Sequence, residues 1–169
     1  MQLLGINKMR TPCKYCGKLI IPAFGQPSKI LIAGEFAGSK EILKGVPFCG
    51  DTGDVLKQEA ARAGFNVMSC RLTNLWCHAK DEENCDLDFH IKTFMQEAKD
   101  KKFILLMGSD LTQAFCGGKS VMDLTSMEVK SEFFPKARVF VSVNPAYLFH
   151  RPAGELRLAF KKFAEVINE

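Results

Sequence analysis

The sequence predicts an α/β fold: a three-layer α/β/α arrangement around a central four-stranded, mostly parallel sheet. Three observations carry this expectation. Apolar runs of strand length occur at 29–34, 66–73, 102–108 and 138–143. Stretches with helical spacing of apolar residues alternate with them, as in βαβ architecture. The run FILLM within 102–108 has no polar residue, so its strand is buried on both faces, as a parallel strand covered by helices is.

The bulk numbers agree. A chain of 169 residues holds one domain with a sizeable core and is short for two, so one domain over 1–169 is expected. Hydrophobic residues at 47% and charged residues at 25% are ordinary for a globular chain. A net charge of +4 permits nucleic-acid binding without requiring it. No apolar run approaches the roughly 20 residues of a membrane span. The first 13 residues are too interrupted for a secretory leader. The expectation is a soluble, intracellular monomer with no membrane contact. Seven cysteines are many, and an odd number. Without an export signal they read as metal ligands or buried thiols rather than disulfides.

Taken in order, residues 1–12 carry little signal. Cys13-Lys14-Tyr15-Cys16-Gly17 is a CxxC turn of metal-knuckle type. Residues 19–28, with Pro22, Gly25 and Pro27, are an irregular lead-in to the first strand, 29–34. That strand ends in Gly34-Glu35-Phe36-Ala37-Gly38, a glycine-bounded turn with one carboxylate at its tip. A second tight segment follows, Gly45-Val46-Pro47-Phe48-Cys49-Gly50. A helix begins at 51, with Asp51 or Thr52 as its cap, and Gly64 ends it. The second strand, 66–73, stops at Asn74. Residues 74–86 form an aperiodic loop with Cys77 and Cys85. A helix over 87–99 turns Leu87, Ile91, Phe94, Met95 and Ala98 to one side. After the third strand comes a short helix over 110–116, stopped by Gly117-Gly118. Residues 126–130 allow a short extra strand. The fourth strand, 138–143, runs into Asn144-Pro145, and an amphipathic helix over 153–167 closes the chain. In open α/β sheets ligands bind past the carboxyl ends of strands, which places Glu35, Phe48, Asn74 and Asn144 around one expected site.

These segments resemble the uracil-DNA glycosylase superfamily, and most closely its iron–sulfur branch, family 4. The likeness runs from Cys13 to the last helix. It rests on Gly34-Glu35-Phe36-Ala37-Gly38, Gly45 to Gly50, Thr73-Asn74, Leu105-Leu106-Met107-Gly108 and Asn144-Pro145-Ala146-Tyr147-Leu148-Phe149, each in the expected order at a strand end. The iron–sulfur branch has histidine where this chain has Asn144. Asn-Pro there resembles the mismatch-specific uracil/thymine branch. The resemblance implies that Cys13, Cys16, Cys77 and Cys85 hold a [4Fe–4S] cluster; on spacing alone, tetrahedral zinc is equally allowed. Such a centre would pin the N-terminal segment to the loop between Cys77 and Cys85. Cys49, Cys70 and Cys116 read as buried thiols.

The resemblance also implies DNA as partner, single- or double-stranded and uracil-containing, and excision of a flipped base. Glu35 would activate water and offset the cationic sugar, and Asn144 would donate to the departing base. Phe48 would stack on the base, within a pocket framed by Gly34 and Phe36. The Asn74 amide would pair with uracil, whose edge offers one acceptor and one donor. Pro145, Ala146, Leu148, Phe149 and Arg151 would meet DNA, with Leu148 or Phe149 as the wedge. No lysine stands at a motif position, so Schiff-base lyase chemistry is not expected. Two other readings stand beside this one. A DNA-binding factor with decayed catalysis is favoured by Asn144. A nucleotide enzyme using 34–38 as a phosphate loop is opposed by the absence of a following Lys-Ser/Thr.

Overall fold

In the computed structural model, residues 10–169 are described; the reading of the extreme N-terminus, residues 1–9, lies outside them. The strands are β1 (Ile30–Gly34), β2 (Arg71–Asn74), β3 (Phe103–Met107), β4 (Glu128–Val129) and β5 (Arg138–Ser142). They form one sheet in the order β2-β1-β3-β5-β4. Neighbours are parallel except β4, which pairs antiparallel with β5. The expected four strands therefore become five. The addition is a two-residue edge strand inside the 126–130 segment.

The second strand starts later than its apolar pattern predicts. Val67–Ser69 instead form a 3₁₀ turn, and the Asn66 side chain caps it by accepting the Met68 N–H at 2.9 Å. Local capping competes with strand pairing at such residues. Val67 is buried within this turn, so its hydrophobicity was not the mark of a strand.

The helices are α1 (Ser39–Lys44), α2 (Asp51–Ala63), α3 (Leu87–Ala98), α4 (Ser109–Phe115), α5 (Val121–Leu124) and α6 (Gly154–Ile167). Neither α1 nor α5 was expected, because six and four residues are too few to show a helical period. The expected cap of α2 is also different. Gly50 precedes the helix in extended conformation and no side chain caps it; Asp51 is already helical, and its carboxylate takes Lys40 Nζ at 3.0 Å. Gly64 ends α2 as expected, in the left-handed conformation with φ 99°.

Strand alternation builds two cores. Leu31, Ala33, Ile104, Leu106, Val139 and Val141 face α3 and α4 through Phe94, Ala98, Leu111 and Phe115. Ile32, Leu105, Met107 and Phe140 face α2 and α6 through Leu56, Ala60, Leu156, Phe160 and Phe163. This is the α/β/α layering that the continuous apolar strands predict. The chain leaves β1 for β2 on one side and returns to β3 on the other. Such a topological switch opens a crevice at the carboxyl ends of the strands. No described helix is long and apolar enough to cross a membrane.

Candidate active site and metal centre

Strand register assembles the site. β1 and β2 pair so that Gly34 lies opposite Asn74. A Cβ on Gly34 would stand 2.6 Å from Asn74 Oδ1 and 2.7 Å from Phe48 Cζ. The missing side chain thus lets the amide and the aromatic ring close over the end of β1. Phe48 itself has φ 56°, a conformation uncommon for a bulky residue. Its ring is buried against the α2–α6 core.

Glu35, one residue past β1, reaches over the switch to β3. Its Oε2 accepts the Asp110 N–H at 2.9 Å. Its Oε1 lies 3.4 Å from Asn144 Nδ2, the donor, 109 residues away. The Asn144 amide is oriented by a second bond: its Oδ1 accepts the Ala146 N–H at 2.9 Å, capping the 3₁₀ turn Pro145–Phe149. The NH₂ end therefore faces Glu35 and the cavity. Burial raises the Glu35 carboxyl above the ordinary glutamate range, and the Asp110 charge adds to it. The Asp110 N–H, the Asn144 amide and Lys80 oppose the shift without cancelling it.

A cavity of about 310 Å³ is lined by Gly34, Glu35, Phe36, Phe48, Asn74, Asn144, Ala146 and Phe149, together with residues of α1 and the start of α2. Most of the expected base- and DNA-contacting residues thus meet in one place. Pro145 is buried beneath the 3₁₀ turn. Leu148 packs on the α2–α6 core, whereas Phe149 is 52% exposed at the mouth. Arg151 is exposed and lines a neighbouring groove rather than the cavity.

Glu41 escaped the sequence reading. It is buried in α1, lines the cavity, and its Oε1 accepts the Gly50 N–H at 3.1 Å. A Cβ on Gly38 or Gly50 would come within 2.9 Å and 3.0 Å of its two oxygens. The glycines of both site loops therefore make room for one carboxylate that laces them together. The signal was there, a glutamate three residues after Gly38, but α1 is too short to mark it as inward-facing.

The metal-ligand set also differs from expectation at one position. Cys13, Cys16, Cys85 and His78 bring their donor atoms within 4.8 Å of one another, close enough to hold a metal ion. Cys77 stands outside this group; its Sγ lies 3.4 Å from His90 Nδ1. The cause is local. Ile21 N–H binds the Cys77 carbonyl at 2.6 Å, and His90 Nδ1 takes the Cys77 N–H at 3.2 Å, so the next side chain, His78, turns to the CxxC knuckle. In a four-iron cube each thiolate binds a different iron, which sets the sulfurs roughly 6 Å apart. Cys13 and Cys85 sulfurs are 3.7 Å apart. The group does not fit the cube that the resemblance implied. Cys70 and Cys116 are buried, as expected, and burial raises both thiols; Cys49, at the site loop, is only half-buried.

With this geometry in view, the model of the uracil DNA glycosylase superfamily matches residues 22–169. The chain belongs to that superfamily. A search of curated proteins returned no match. Membership carries a DNA glycosylase-like role and DNA as the partner, and the strand-end site is where such chemistry would sit.

Proposed function

We propose that this superfamily member hydrolyses the N-glycosidic bond of uracil, or of a closely related base, in DNA. One observation carries the reading. The Asn74 side chain packs in the cavity wall against Phe48, and its amide, with no hydrogen-bond partner among the described residues, opens to the cavity. A base that enters the cavity strips water from this amide and must supply partners in its place, and uracil supplies both an acceptor and a donor. Cytosine presents the opposite pattern and leaves groups unpaired.

In the reaction the bond from C1′ to the base breaks, and its electron pair leaves with the base. Asn144 Nδ2–H donates to the departing base oxygen. The sugar becomes oxocarbenium-like, offset by the Glu35 carboxylate. Water adds to C1′ and gives its proton to Glu35. Phe48 backs the base, and Phe149 fills the gap left in the stack. The products are free base and an abasic site, without lyase chemistry. All these residues come from one chain, so a monomer suffices. No step runs through the Cys/His group.

A second reading, a DNA-binding factor with weakened catalysis, is favoured by Asn144, because a neutral amide donates less strongly than a histidine. The discriminating experiment uses metal-replete protein and a single-stranded oligonucleotide with one uracil. Wild type should release uracil and spare cytosine, and Glu35→Ala should slow release by about 100-fold or more. Asn144→His should speed it. Tight, salt-sensitive binding with no uracil released by wild type would overturn the enzymatic reading in favour of the second.

A further inference from the structure

We propose that Cys13, Cys16, His78 and Cys85 form a mononuclear, tetrahedral zinc site, with His78 rather than Cys77 as its fourth ligand. Three observations carry this. The first is spacing. Tetrahedral zinc with Zn–S of about 2.3 Å and Zn–N of about 2.0 Å sets ligand sulfurs about 3.8 Å apart and sulfur–nitrogen pairs about 3.5 Å apart. Here Cys13 and Cys85 sulfurs are 3.7 Å apart, and His78 Nε2 is 3.3 Å from both Cys16 and Cys85 sulfurs.

The second is the His78 tautomer. Its Nδ1 lies 2.7 Å from the Ala79 carbonyl oxygen, which only accepts. The ring proton is therefore on Nδ1, and Nε2 offers its lone pair to the space between the sulfurs. A ligating histidine held by a carbonyl at its other nitrogen is the usual supporting arrangement. The third is His90. Its Nδ1 accepts the Cys77 N–H, so its Nε2 carries the proton and donates to Cys85 Sγ at 3.3 Å. One buried histidine thus supports a ligand thiolate, and Cys77 contributes only backbone and a neighbouring thiol. Three thiolates and one imidazole are a closed structural zinc set, with no position open for substrate.

The site ties the CxxC turn to the loop that continues from Asn74. Leu75 and Trp76 N–H groups bind the Gly34 and Glu35 carbonyls at 2.9 Å. The metal therefore holds the segment that carries the Asn74 amide, without touching the reaction.

The test is metal analysis of the 169-residue chain expressed with iron, sulfide precursors and zinc all supplied, and purified without oxygen. The expected result is one zinc per chain, no acid-labile sulfide and no iron–sulfur absorption. Cobalt(II) exchanged into the site should give thiolate charge-transfer bands and the strong visible bands of a tetrahedral ion. Cys77→Ala should keep one zinc. His78→Ala should bind it at least 10- to 100-fold more weakly. Because His78→Ala can fail to fold, His78→Cys supplies a second readout: it should keep zinc, and its cobalt form should gain charge-transfer intensity from a fourth thiolate. Iron and sulfide in fourfold amounts, loss of metal in Cys77→Ala, or no retained metal in wild type would each overturn the assignment.

Discussion

At Gly34 the absence of a side chain is what the pocket is made of. Asn74 Oδ1 and Phe48 Cζ both crowd the place a Cβ would occupy, at 2.6 and 2.7 Å. Strand register holds the Asn74 backbone and the Phe48 ring is packed in the α2–α6 core, so a Cβ must turn the free Asn74 amide or push the ring. Gly34→Ala should therefore displace the amide or the ring. The expected cost is about 1–3 kcal/mol of stability, with KM for uracil-containing DNA raised about 10-fold. Denaturant melts and steady-state kinetics on one preparation check both. Glu35, Asn74 and Asn144 could be read in sequence because they sit at or just past the ends of β1, β2 and β5, whereas Phe48 was marked by Pro47 and Gly50 in the loop before α2. His78 was not legible. The cysteines on either side of it had the metal signal, and only the backbone bonds of Cys77 decide which side chain turns inward.

Among the elements, the 3₁₀ turn Pro145–Phe149 does two jobs with adjacent residues. Leu148 packs on the α2–α6 core, while Phe149 stands exposed beside the cavity. The sequence allowed either as the wedge, since an apolar tripeptide carries no marker of which residue points out. Phe149 is the exposed one of the two, so the wedge role proposed above falls to it. Phe149→Ala should leave stability within about 0.5 kcal/mol and lower kcat/KM about 10-fold on duplex DNA, less on single strands, where no stack needs to be held open. Leu148→Ala, at a partly buried position, should instead destabilise the fold by about 1–2 kcal/mol. Thermal melts beside rates on both substrates separate the two. The long elements, α2, α3 and α6, were visible from periodicity. The short helices α1 and α5 were not, because a period cannot show itself in six residues or fewer; β4 falls inside the 126–130 segment that allowed a short extra strand.

For the molecule as a whole, the α/β/α layering follows from the apolar strands, and the crevice follows from the strand order, which sequence alone did not specify. The cavity lies where the chain switches from β2 to β3, with Lys40 on its wall and Arg151 and His150 nearby. Lys40 and Arg151 are the basic side chains placed to meet the phosphate backbone. The logarithm of the association constant for single-stranded DNA should then fall with the logarithm of salt, at a slope of about −0.7 for each phosphate neutralised. Anisotropy titrations across salt concentrations measure it, and Arg151→Ala should make the slope shallower. A salt-independent affinity would mean that the phosphate backbone is not bound here.

The most direct test of Glu35 as the group that activates water is the pH profile of single-turnover uracil release, in wild type and Glu35→Gln. Burial raises the Glu35 carboxyl, so the active carboxylate is lost as pH falls through a midpoint above the ordinary glutamate value of about 4.3. The same shift fixes a stability sign. The folded state favours the protonated form, so its stabilising contribution is full at acid pH and is lost as pH rises through the raised pKa. Glu35→Gln should accordingly melt higher than wild type at neutral pH while releasing uracil about 100-fold or more slowly, with no dependence on pH in that range. A wild-type rate that stays flat down to pH 4, or a Glu35→Gln variant as fast as wild type, would contradict the account.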